Sequence, residues 1–194
     1  MSTVLTLPDD YREALKIDLQ SNKKEMILVY SMALVIMLLL AVPAHMLVPI
    51  STLFDMEDLG FYMIRFAVLL IGLAAYCILH ELVHGVFMKR YSGIKASYGF
   101  TGLYAYAGSP AYFGKKNYII IVLAPVVLWG AVLALLTALV PLPWFWVVYL
   151  IQITNLSGAA GDIYVTWRLS RLPSDLLVKD AGVSMTVYIN QKTE

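Results

Sequence analysis

The chain has 194 residues, of which 60% are hydrophobic and 14% charged, whereas soluble domains run at roughly 45–50% and about 25%. That balance argues against a soluble enzyme and for a protein of the bilayer. Its 14 basic and 13 acidic residues leave a net charge of +1, so no global field recruits nucleic acid or an acidic partner.

In chain order, residues 1–25 are polar and mixed in charge. They lack the short apolar core and small-residue cleavage site of a secretory signal, so the first apolar span is expected to stay in the mature protein. Pro8-Asp9-Asp10 predicts the start of an amphipathic helix through Asn22. Four stretches then offer the roughly 20 apolar residues that a helix needs to cross a bilayer: residues 26–48, 61–88, 118–140 and 144–167. Pro141-Leu142-Pro143 is too short to do more than reverse the chain between the last two. Between the second and third spans, aromatic and small residues alternate around Tyr98, Phe100, Tyr104, Tyr106 and Tyr112. Period-two patterning broken by glycine and proline predicts one or two β-hairpins at the cytoplasmic interface. Such a hairpin is either a connector or an edge strand that aligns an extended substrate. Residues 176–190 predict two short strands about Asp180-Ala181-Gly182, and neither tail carries an evident chemical motif. The expected fold is therefore an all-α membrane protein: four transmembrane helices, a small interfacial β-hairpin element and a short C-terminal β element. No repeat or linker divides it, so residues 1–194 are read as a single domain.

Basic residues near span ends stay on the cytoplasmic side. Lys23 and Lys24 precede the first span, Lys89, Arg90, Lys95, Lys115 and Lys116 lie between the second and third, and Arg168 and Arg171 follow the fourth. Residues 49–60 carry Asp55, Glu57 and Asp58 but no Lys or Arg. This predicts a multi-pass cell-membrane protein with both termini cytoplasmic. Arg65 then lies near the outer end of the second span, where it is expected to snorkel outward or pair with Asp55, Glu57 or Asp58.

The chemistry centres on His80-Glu81-Leu82-Val83-His84. Helical residues four apart lie one above the other, so both imidazoles face one way, with Glu81 turned by roughly 100° onto the flank. Two neutral nitrogens suit Zn²⁺, and the carboxylate is placed to accept a proton from water that the metal acidifies. Two histidines and a glutamate in an apolar span are costly unless ligated, which favours function over chance. A catalytic zinc wants a third protein ligand and an open position. His45 lies at the outer end of the first span, and Phe87 and Arg90 stand where a soluble-type third-histidine extension needs glycine and histidine. Asp162 is the acidic residue that shares the histidines' situation, inside an apolar span near its cytoplasmic end. His84 lies five positions before Lys89 and Asp162 six before Arg168, so both sit roughly 8–9 Å below their interfacial charges. Cys77, a turn deeper on the histidine face, is the weaker candidate and more naturally a packing residue. Asn155 precedes Asp162 by seven residues and shares its stripe on a continuous helix, as a donor to substrate backbone or in an interhelical hydrogen bond. Pro125 is expected to kink the third span beside the site and open a water path.

His80-Glu81-Leu82-Val83-His84-Gly85, the Ala124-Pro125 step, and Asn155 through Gly161-Asp162 together resemble the site-2 protease class of intramembrane metalloproteases. The whole chain is more closely similar to small bacterial membrane proteins of the zincin-peptidase family, including the start around Tyr11 and Ser157-Gly158-Ala159-Ala160-Gly161-Asp162. The resemblance implies His80, His84 and Asp162 as zinc ligands, Glu81 as base, and cleavage of membrane-anchored proteins. Site-2 proteases carry proline three residues after the asparagine and Leu-Asp-Gly around the ligand. Gly158 and Gly161-Asp162-Ile163 stand here instead, which implies a different backbone path in the fourth span. The expected activity is zinc-dependent intramembrane or juxtamembrane peptidase action on membrane-anchored substrates in the lipid bilayer. The competing classes are a non-catalytic membrane factor stabilised by metal, of immunity or assembly type, and an ion transporter built on a His, Glu and Asp relay.

Overall fold

The computed structural model describes residues 3–18, 21–102 and 105–191. In order, the chain forms β1 (Tyr11–Ile17), α1 (Lys23–Leu47), a 3₁₀ turn (Ile50–Phe54), α2 (Leu59–Ser92), β2 (Ser97–Phe100), β3 (Ala105–Gly108) and β4 (Tyr112–Gly114). It continues through α3 (Lys115–Leu139), a 3₁₀ turn (Leu142–Trp144), α4 (Phe145–Gly158), α5 (Ala160–Ser170), β5 (Leu176–Asp180) and β6 (Met185–Asn190). Contacts divide it into two compact units, one holding residues 1–28, 80–125 and 161–194 and the other residues 29–79 and 126–160.

Among the described residues, three helices are long and apolar enough to cross a membrane: α1, α2 and α3, of 25, 34 and 25 residues. The expected fourth span is not one continuous helix. It breaks at Ala159, whose backbone (φ −78°, ψ 10°) ends α4 after Gly158. The pieces of 14 and 11 residues reach only about 21 and 17 Å, each short of the roughly 30 Å hydrocarbon core.

The second unit is held by an apolar cluster of Ala44, Leu53, Leu69, Trp146, Val147 and Ile153. Its polar groups are tied into helix ends and backbones. Trp146 Nε1 donates to the Val48 carbonyl at 3.0 Å. Arg65, only 3% exposed, neither snorkels nor pairs with the expected carboxylates. Its Nη1 donates to the Thr52 and Pro143 carbonyls at 2.9 and 3.2 Å, its Nη2 to the Asp55 carbonyl at 2.9 Å, and its guanidinium lies 5.0 Å from the Phe61 ring centroid. Two chain turns converge there, and their three carbonyls are stronger claimants on a buried guanidinium than carboxylates that can stay hydrated.

The first unit carries both sheets. β2 and β3 form the expected antiparallel hairpin, Ser97 opposite Gly108 through Phe100 opposite Ala105. Tyr104, counted in its alternation, lies outside the described residues. β5 and β6 form the expected C-terminal pair, but they belong to a four-stranded antiparallel sheet of order β1-β6-β5-β4. The N-terminal segment is therefore a strand, not an amphipathic helix. Tyr11 N–H donates to the Pro8 carbonyl at 3.1 Å, closing a turn where a helix cap was expected. Ile17 then pairs with Met185 and Leu15 with Val187, after a bulge between Glu13 and Leu15. Burial of Phe113, Leu176, Leu177, Val178 and Val187, each fully enclosed, supplies the driving force for that pairing, at roughly 25 cal/mol per Å² of apolar surface.

Candidate metal centre

His80 and His84 stand on consecutive turns of α2 with ring centroids 4.9 Å apart. Asp162 occupies the first turn of α5, where the free N–H groups of a helix start favour a carboxylate. The break at Ala159 thus creates the helix end on which Asp162 sits. Its Oδ2 lies 3.3 Å from His80 Nε2 and 3.7 Å from His84 Nε2. One donor atom from each of the three falls within 4.8 Å of the others. Donors bound at about 2.0–2.2 Å around a tetrahedral zinc stand roughly 3.3–3.5 Å apart, so two imidazoles and a carboxylate at these separations fit that ion. Cys77 is exposed and His45 accepts the Ile50 N–H at Nδ1; neither is in the group.

The tautomer of His84 is set by a carbonyl that Pro125 leaves free. His84 Nδ1 lies 2.9 Å from the Ile121 carbonyl. A carbonyl only accepts, so Nδ1 carries the proton and Nε2 keeps the lone pair for a metal. Ile121 is four residues before Pro125, and proline has no N–H to return to that carbonyl. The expected kink residue therefore frees an acceptor for the imidazole, the type of outer contact that orients metal-binding histidines.

Glu81, His84, Tyr106, Tyr118, Asp162 and Asp180 line one cavity of about 190 Å³. Glu81 is not in the three-donor group, and Ala107 of β3 lines the cavity beside it. Gly85, directly after the motif, lets the hairpin approach, since a Cβ there would stand 2.0 Å from Tyr98 Oη. Asp180 was given no chemistry by its sequence context. It reaches the cavity through the β5–β6 turn, accepting the Tyr118 hydroxyl at 2.7 Å and the Gly182 N–H at 2.8 Å. Burial raises the pKa of Asp180, the bonds from Tyr118 and Gly182 and the nearby His84 oppose the rise, and Asp162 adds to it. No local signal joins Tyr118, Asp180 and the motif, which lie 34 to 100 positions apart.

Asn155 is placed in the second unit, fully buried. Its Oδ1 accepts the Tyr76 hydroxyl at 3.0 Å, and its Nδ2 donates to the Val126 carbonyl and Gln152 Oε1, both at 3.4 Å. The helix break at Ala159 interrupts the continuous stripe expected to join it to Asp162.

Over residues 73–177 the sequence matches the family described as "Putative zincin peptidase". The chain belongs to that family, and the match contains all four residues of the motif-centred site. It is also similar to an uncharacterized 24.7 kDa protein of Pyrococcus woesei, 32% identical over 122 residues, covering 60% of this chain and 53% of the relative. The chain thus spans about half the length of that relative. No solved structure matches.

Proposed function

We propose that this chain is a membrane zinc metallopeptidase that hydrolyses peptide bonds of membrane-associated proteins, with His80, His84 and Asp162 as ligands and Glu81 as general base. The observation that carries this reading is the position of Glu81, on the wall of the cavity lined by His84 and Asp162 yet outside the three-donor group. A purely structural metal site has no need of that carboxylate. His80, His84 and Asp162 would hold Zn²⁺, which would supply an electrophile and acidify water for attack. Glu81, on the wall of the same cavity, takes the proton from the attacking water and returns it to the leaving nitrogen. The second edge of β3 has no partner strand among the described residues, which favours a substrate laid out as an added strand.

The basic-residue asymmetry supports cytoplasmic termini at both ends. That orientation requires residues 145–170 to cross as two short helices, an arrangement bilayers accept where the freed backbone faces protein or a water-filled cavity. Reporter fusions at the C-terminus test it, and an external C-terminus overturns it.

Glu81→Gln separates base from ligand. The purified variant is expected to hold zinc at the wild-type level and to lose hydrolysis by about 10²–10⁴-fold. The substrate for that assay is a membrane-anchored protein found by comparing membrane proteomes with and without the gene. Equal turnover by both proteins, with contaminating proteases excluded, overturns the hydrolytic reading.

A further inference from the structure

Tyr118 and Asp180 form a second polar pair on the cavity wall, outside both the three-donor group and the proposed base. Tyr118 lies in the first turn of α3, and Asp180 ends β5, three positions beyond the residues matched to the family. Asp180 is held at three points: Oδ2 takes the Tyr118 hydroxyl, Oδ1 takes the Gly182 N–H, and its backbone carbonyl takes the Ser109 N–H at 2.8 Å. Gly182 has φ +87°, and a Cβ there would stand 2.1 Å from the Tyr106 ring. The turn is thus seated against the β3 hairpin with little room to move, and both residues keep their place on the wall.

A phenol has one hydrogen and two lone pairs. Tyr118 has committed its hydrogen to a carboxylate, so toward the cavity it offers lone pairs alone, and the charged partner strengthens them by polarising the O–H bond. We infer that Tyr118 accepts a hydrogen bond from an N–H of the substrate, and that Asp180 is the positioning residue that makes Tyr118 an acceptor rather than a donor. The inference rests on the peptidase reading, and it narrows the substrate: a peptide nitrogen brings the hydrogen this wall requires, whereas an ester oxygen brings none. A site built to bond an N–H discriminates against the analogue that lacks it.

The test uses two probes on the full-length, Co²⁺-loaded protein in detergent, followed through the visible absorption of the metal. Acetohydroxamate ligates through oxygen and carries an N–H; acetate ligates through oxygen and has none. Tyr118→Phe is expected to weaken acetohydroxamate by roughly 3–10-fold, the range of one hydrogen bond, and to leave acetate unchanged. Asp180→Asn, which keeps an oxygen acceptor but removes the charge, is expected to produce a smaller loss in the same direction, about 2–5-fold. An unchanged ratio of the two affinities in Tyr118→Phe overturns the inference. Should that variant fail to fold, an unchanged ratio in Asp180→Asn does the same. A wild-type protein that binds no cobalt or zinc overturns the metal-centre reading itself and takes this inference with it, a failure visible before either probe is added.

Discussion

The two units both bury polar side chains, and they do so to opposite ends. In the unit of residues 29–79 and 126–160, Arg65, Asn155, Gln152 and Tyr76 find partners inside the protein, mostly backbone carbonyls. Gln152 Nε2, for example, donates to the Gly130 carbonyl at 3.1 Å. In the other unit, Glu81, His84, Asp162 and Asp180 turn part of their hydrogen-bonding capacity into a cavity. Polar burial costs about the same in either place unless it is compensated. Internal compensation makes structure; compensation by something that must enter the cavity makes a site. Changes in the second unit should therefore register as stability, and changes in the first as metal binding or turnover.

The largest effect expected is from His84→Ala or His80→Ala, each of which should abolish stoichiometric zinc by metal analysis of the purified protein. Asp162→Ala should weaken zinc binding, whereas Cys77→Ser should retain it. Full occupancy in Asp162→Ala would transfer the third ligand elsewhere. On the other side of the comparison, Arg65→Met leaves three backbone carbonyls without their donor. It should lower stability by about 3 kcal/mol in detergent unfolding while zinc stoichiometry stays at wild type. Lost zinc in that folded variant would break the separation between the units. Pro125→Ala restores an N–H that competes for the Ile121 carbonyl with His84. Weaker zinc binding by about tenfold, measured by competition with a chelator, is the expected result, because outer contacts to ligating histidines carry effects of that size. The smallest change is Asn155→Leu, at about 1 kcal/mol of stability, the scale of interhelical hydrogen bonds in membranes, with zinc retained. Lost turnover at unchanged stability would instead assign Asn155 to substrate binding.

Sequence alone is informative where short-range geometry governs. His80 and His84 share a face because of helical spacing alone, and the match in depth between His84 and Asp162 follows from counting residues to interfacial charges. Sequence alone misleads where two local signals compete. Pro8-Asp9-Asp10 is a fair helix start, yet the segment after it pairs with β6. The bulge between Glu13 and Leu15 hides the period-two alternation that would have announced a strand. Gly158 departs from the site-2 protease pattern, but the helix end beneath Asp162 is visible only in the backbone.

What the sequence determined by itself is what composition and local periodicity control: three of the four expected spans as long apolar helices, a hairpin between the second and third, a C-terminal strand pair, and a two-histidine face flanked by a glutamate. What only the tertiary structure decided depends on contacts between residues distant in the chain. These are the four-stranded sheet joining both tails, the Ile121 carbonyl that sets the His84 tautomer, and Asp180 brought to the cavity through Tyr118. The physical reason is the range of the forces. Helix formation and amphipathic patterning are read within a few residues, whereas sheet partners and cavity walls are chosen by burial of apolar surface, which is indifferent to separation along the chain.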